Sequence, residues 1–139
     1  MNELQISTIL ERDPVLRRRF GGVLAADELP RMVGQRPRVY VVNTDVRGLP
    51  GTHWTIFYFP RRGPAEFFDS MGHSPDYYHR QFKRFLIKHG PTYVYNRRRI
   101  QPYGTDTCGR YCIAFAKLRC RGWTMKRIVP YLKFRLYSL

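Results

Sequence analysis

Two dense runs of β-branched and aromatic residues, RVYVVNT (Arg38–Thr44) and THWTIFYFP (Thr52–Pro60), commit the middle of this chain to strands. Such side chains suit a pleated surface and lose rotamer freedom in a helix. AEFFDS (Ala65–Ser70) follows a proline-flanked Arg61–Arg62–Gly63 turn, so the three segments form a meander or hairpin. If Arg61 to Gly63 is a three-residue turn, Pro60 faces Pro64 and Asp69 lies opposite Thr55, diagonal to His53 and on its face. A two-residue turn would carry Asp69 to the other face.

Helical patterns surround this block. Asn2 to Arg12 reads as an amphipathic helix with Leu4, Ile6, Ile9 and Leu10 on its apolar face, stopped at Asp13-Pro14, and a Gly-Gly and proline-punctuated loop follows. Ser74-Pro75 is a cap and first-turn proline for one helix that runs through Tyr78, Phe82, Phe85 and Leu86 to Gly90. TYVYN (Thr92–Asn96) predicts a further strand, and Cys108 to Arg121 a helix closed by Gly122. A last weak helix begins near Thr124 and is interrupted by Pro130. Strands and helices in separated runs indicate an α+β fold, and 139 residues without repeat or linker indicate a single domain over 1–139.

The charge is lopsided: 25 Lys and Arg against 10 Asp and Glu, a net charge of +15, with no acid after Asp106. A hydrophobic content of 43% places that charge on a folded body rather than a disordered chain. The basic clusters, Arg97-Arg98-Arg99 with Lys117, Arg121, Lys126 and Arg127, suit phosphate contact, which makes DNA the expected polyanionic partner. A solvated basic surface is the plainer reading, and for Arg97-Arg98-Arg99 a solvated turn stands ahead of a DNA contact and a localisation signal last. Three cysteines point to a reducing compartment, and the chain has neither a secretory signal pattern nor an apolar run of membrane-spanning length, so an intracellular, non-membrane protein is expected. Cys108, Cys112 and Cys120 lack the pairwise spacing of zinc sites, and no metal is expected.

Cys108 opens its helix, where the macrodipole and free N–H groups favour a thiolate. A nucleophilic thiolate needs a base and the base an orienting acceptor; His53 and Asp69 are the candidates. Gln101 supplies an amide that, beside the backbone N–H of the nucleophile, would hold a developing oxyanion. Each residue also has an ordinary reading: core thiol, packed histidine, turn-forming aspartate, loop glutamine. Cys112 and Cys120 are read as core.

Taken in order, GTHWTIFYF, EFFDSMG and IQPYGTDTCGRYCIAF resemble the adenovirus maturation protease (adenain) and the related proteases of SUMO and other ubiquitin-like proteins. The resemblance implies a permuted papain-like cysteine protease fold, a small mixed sheet packed on a central helix that begins at the nucleophile. It implies Cys108 as nucleophile, His53 as general base and then acid, Asp69 as its partner and Gln101 as oxyanion donor, with Trp54 and Gly109 packed at the site. Small residues, glycine especially, would flank the cut in structural precursor proteins, with DNA as a cofactor, in the nucleus and virion of a DNA virus or related element. An activating peptide is part of the adenovirus pattern, but KHGPTYVYNRRR (Lys88–Arg99) carries no cysteine to tether it by a disulfide. A monomer is expected. Two rivals stand beside this cysteine endopeptidase: a cellular-type protease for ubiquitin-like modifiers, and a non-enzymatic basic DNA-binding module on the same fold.

Overall fold

The computed structural model describes residues 1–135, and among them five strands form one sheet in chain order. They are β1 (Phe20–Leu24), β2 (Arg38–Asn43), β3 (Trp54–Phe59), β4 (Ala65–Phe68) and β5 (Tyr93–Tyr95). The inner three are antiparallel, and β1 and β5 run parallel to their neighbours at the two edges. The helices are α1 (Glu3–Arg12), α2 (Pro75–Tyr78), α3 (Arg80–Lys88), α4 (Cys108–Cys120) and α5 (Met125–Arg135).

Strand alternation sorts the side chains into two cores. Val39, Val41, Trp54, Ile56, Tyr58 and Phe68 face α1, α4 and α5. Tyr40, Val42, Phe57, Phe59, Ala65 and Phe67 face α3 through Phe82, Phe85 and Leu86. Every residue of β3 is buried, because helices cover both faces of the sheet; this is why the strand reads as a continuous apolar run. The mixed α+β architecture expected from the sequence is therefore present.

The hairpin adopts the three-residue-turn register. Ile56 pairs with Phe68, Phe57 with Phe67 and Tyr58 with Glu66, which extends to Thr55 opposite Asp69. Three other expectations are corrected. The Gly-Gly loop contains the edge strand β1, whose Gly21 lies under the Tyr40 ring, where a Cβ would sit 2.2 Å from a ring carbon. A weak strand former is thus required by packing. The single helix after Ser74 is two, because His79 turns extended (φ −148°, ψ 142°) and its Nε2 lies 2.5 Å from the Thr44 carbonyl oxygen; Ser74 makes no side-chain cap bond. The last helix continues through Pro130, buried Ile128 and Leu132 holding it on the core at the loss of one backbone hydrogen bond.

Helix α4 is fixed along its length. Near its middle Phe115 stacks on Phe68 of β4, with ring centroids 4.4 Å apart and an interplanar angle of 12°. Toward its end Arg119 reaches Glu66 on the same strand through two hydrogen bonds of 2.9 Å, and its guanidinium lies 4.6 Å from the Tyr58 ring centroid. Removing one member of such a pair leaves the other charge buried without a partner. Arg119→Ala is expected to destabilise the fold by about 3 kcal/mol in urea titration, and a double change of Glu66 and Arg119 to leucine to recover most of that loss.

Candidate active site

Antiparallel pairing brings the start of β3 and the end of β4 to the same end of the sheet. His53, one residue before β3, and Asp69, one residue after β4, therefore emerge side by side. The His53 Nε2–H donates to Asp69 Oδ1 at 2.5 Å, which leaves Nδ1 for another partner. That partner is Cys108, the first residue of α4, which reaches the same sheet end from the opposite face and acts electrostatically on His53.

Asp69 is fully buried and its carboxylate is filled with donors. Oδ1 accepts from His53 and from the Met71 N–H at 3.0 Å, and Oδ2 from the His73 N–H at 3.1 Å and the Tyr78 hydroxyl at 2.6 Å. Burial would raise its pKa, but the hydrogen bond and charge of His53, with the Tyr78 and Met71 bonds, hold it below the ordinary carboxylate value. Its backbone is clamped by Asn96, whose side chain accepts from the Asp69 N–H at 2.9 Å and donates to its carbonyl at 2.6 Å. The turn-forming and partner readings of this aspartate are satisfied by the same carboxylate.

The thiol and imidazole shift each other. Burial acts to lower the His53 pKa, yet Asp69 and then Cys108 outweigh it and push it up to about 9. Burial acts to raise the Cys108 pKa, but the His53 hydrogen bond, the Trp54 backbone N–H and the Gly109 N–H hold it below the ordinary thiol value. The first turn of α4 has no side-chain cap, so its N–H groups remain aimed at the sulfur end. By contrast burial drives Cys112 well above the ordinary value and Cys120 to about 11. The charged pair, thiolate beside imidazolium, is the arrangement this environment favours.

Gln101 is brought to the same neighbourhood. Its backbone N–H donates to the Ser70 carbonyl at 3.0 Å, one residue beyond Asp69, and its side-chain oxygen accepts from the Ser70 hydroxyl at 2.5 Å. The amide nitrogen donates to the Thr105 carbonyl at 2.9 Å, which folds the Pro102–Thr107 loop back between Gln101 and the start of α4. The approach to Gln101 depends on Gly72: a Cβ there would lie 2.5 Å from the Arg99 nitrogen and 2.6 Å from the Arg98 carbonyl carbon.

Trp54 and Gly109 form the wall beside the thiol. The Trp54 indole N–H donates to the Met1 carbonyl at 3.0 Å, and a Cβ on Gly109 would lie 3.5 Å from the indole and 3.3 Å from Met1. Three contributors escaped sequence reasoning. Tyr78, read as an apolar helix position, both donates to Asp69 and stacks on His53 with centroids 5.7 Å apart. Ser70 and Asn96 carried no signal beyond their polarity in otherwise apolar segments.

The basic residues do not gather at the site. Arg97, Arg98 and Lys126 line one groove between β5 and α5, whereas Lys117 and Arg121 lie in the last turn of α4 and at its cap. Arg121 is paired with Asp13 at 2.9 Å, Arg127 stacks over Trp123 and Arg99 over Tyr103, each 3.7 Å from the ring centroid. No helix among the described residues is long and apolar enough to cross a membrane.

The fold is that of the SUMO-protease-like cysteine peptidases. Among solved structures the chain is similar to the ASFV pS273R protease, with 19% identity and a TM-score of 0.57 over 93% of this chain and 61% of that one. It is similar as well to the SUMO protease Ulp1 with its catalytic cysteine oxidised to a sulfinic acid, at 11% identity and a TM-score of 0.53 over 99% of this chain and 75% of that one. The central domain of the Lpg1148 protein from Legionella pneumophila matches at 15% identity and a TM-score of 0.51, over 100% and 86% of the two chains. This chain thus spans about three fifths of the length of the ASFV protease. No family profile and no curated protein matches it in sequence.

The charge states give a direct expectation. The ion pair persists from the lowered Cys108 pKa up to about 9, where the imidazolium loses its proton. Alkylation by iodoacetamide should therefore stay fast at Cys108 below the ordinary thiol range and remain slow at Cys112 and Cys120, as read by mass spectrometry against pH. Asp69→Asn removes a group that raises the His53 pKa, so the upper edge of that window should move to lower pH.

Proposed function

We propose that this chain is a cysteine endopeptidase. The observation that carries the reading is the meeting of Cys108 with a histidine whose other nitrogen is bonded to a fully buried carboxylate. In the reaction, Cys108 Sγ attacks the carbonyl carbon of the scissile peptide and the carbonyl oxygen becomes an oxyanion. The second amide proton of Gln101 and the backbone N–H at Cys108 are its donors. As the C–N bond breaks, His53 gives its proton to the departing amine, leaving a thioester on Cys108. Neutral His53 then takes a proton from water, whose oxygen attacks the thioester; the acid product leaves and the sulfur departs as thiolate beside imidazolium. Asp69 keeps Nε2 protonated and Nδ1 directed at sulfur throughout, and Tyr78 holds Asp69 from its far side.

For the biological role we favour maturation of structural precursor proteins of a DNA virus or a related element, with cuts next to glycine and DNA as a cofactor. The likeness to a viral protease and the net charge of +15 support this. The acid-free basic segment after Asp106 would allow enzyme and substrates to meet on a genome. The likeness to a SUMO protease supports a second setting, the trimming of a ubiquitin-like modifier.

Purified protein should cleave Gly-Gly-containing peptides of the virion-precursor type, with faster turnover when DNA is added at low salt, and Cys108→Ala should remove all cleavage. Turnover of modifier fusions alone would transfer the role to the second setting. Salt-sensitive DNA binding without any turnover, unchanged in Cys108→Ala, would overturn the enzyme reading in favour of a DNA-binding module.

A further inference from the structure

A cleft of about 360 Å³ lies beside Trp54, between the start of α1 and the loop from Asp45 to Gly51. It is at the small end of the range in which ligands are held, ~300–1,000 Å³. The cleft adjoins the candidate active site directly, since Trp54 follows His53 and packs against Gly109, the neighbour of Cys108.

At its base stands Asn43, the last residue of β2, only 4% exposed. It pairs with Trp54 across the sheet and lies on the same face, toward α1. Its side-chain oxygen is used: it accepts from the Asp45 N–H at 2.8 Å, which also fixes which end of the amide is which. Its amide nitrogen is not used. Asn43 Nδ2 is buried and has no hydrogen-bond partner among the described residues. Buried donors are bonded in the great majority of cases, so an unbonded one next to a reactive site calls for a ligand.

The surroundings preserve that donor. Asp45 Oδ2 is occupied by the N–H groups of Gly51 and Thr52, at 3.0 and 3.2 Å, so the nearby carboxylate is turned into the loop. The absence of a side chain at Gly51 keeps the cleft wall next to the buried Nδ2 thin, since a Cβ there would lie 3.3 Å from it. Nothing charged is needed to satisfy an amide N–H; a peptide carbonyl is the fitting acceptor.

We infer that Asn43 is a substrate-positioning residue whose Nδ2–H donates to a main-chain carbonyl of an extended peptide lying in the cleft beside Trp54. This rests on the endopeptidase reading of the same site. A main-chain contact reads the backbone and not the sequence, so its loss should weaken all peptide substrates alike.

Asn43→Asp tests this, because it keeps the oxygen that accepts from the Asp45 N–H and turns the donor into a second, negatively charged acceptor. KM should rise about tenfold, the scale of one hydrogen bond, for peptides of unrelated sequence, while kcat is retained. On the wild-type protein, peptides whose carbonyls are replaced one at a time by methylene should show a similar KM rise at a single position, and that peptide should show no further rise with Asn43→Asp. A variant with unchanged KM, or a carbonyl scan whose losses simply add to it, overturns the inference. Should the variant not fold, the Asn43 side-chain amide resonance in Cys108→Ala protein decides: it should shift on titration with uncut peptide, and a resonance that stays in place under saturating peptide overturns the inference. That titration requires no turnover. Peptide bound through Asn43 but never cut by the wild-type chain would sink the endopeptidase reading and keep this one; cleavage with a silent Asn43 would do the reverse.

Discussion

A helix that begins at its candidate nucleophile is only as well placed as the rest of the helix is held. Helix α4 is pressed onto the sheet by the Phe68–Phe115 stack and anchored near its far end by Arg119 on Glu66, with α1 and α5 packed alongside. These contacts set where Cys108 stands relative to the strand ends. The other partners have no freedom to follow it, because His53 and Asp69 leave from neighbouring antiparallel strands whose register is fixed by burial on both faces. The meeting of sulfur and imidazole is thus decided by packing well away from either atom.

Electrostatics then acts on a geometry already determined. Asp69 has lost its water but has four donors in exchange, so it stays charged in a place where an unbonded carboxylate would take up a proton. Its charge sustains an imidazolium, and the imidazolium sustains a thiolate. Two cysteines further along the same helix have no imidazolium beside them, and burial holds both as thiols, at Cys120 even against the nearby Arg19, Arg119 and Arg121. The same amino acid has opposite character depending on whether an imidazole stands beside it.

Much of the fold was legible because its central strands are buried on both sides and therefore announce themselves as unbroken apolar runs. The hairpin register was legible only as a choice between two turn lengths, which the pairing of Ile56 with Phe68 decides. What resisted reading was decided by long-range packing: β1 looks like a loop because Gly21 must pass beneath Tyr40, and α2 and α3 look continuous because the break at His79 is made by a bond to Thr44, distant in sequence. Within the candidate site, Cys108 and His53 stood out through a helix start and a motif order. Tyr78 did not, since its apolar periodicity concealed a hydroxyl aimed at Asp69; Asn43 did not, since an asparagine ending a strand has no distinguishing pattern.

The backbone around Gln101 leaves unequal room for added side chains. The exposed stretch from Pro102 to Asp106 touches Gln101 chiefly through one backbone carbonyl, so apart from Gly104, at φ 76°, its side chains have room to change. Gly72 has none: one added methyl there would prise the Arg98–Arg99 backbone off the turn and carry the glutamine with it. A position with no chemistry of its own is in this way the part of the amide-bearing rim least able to accept a side chain.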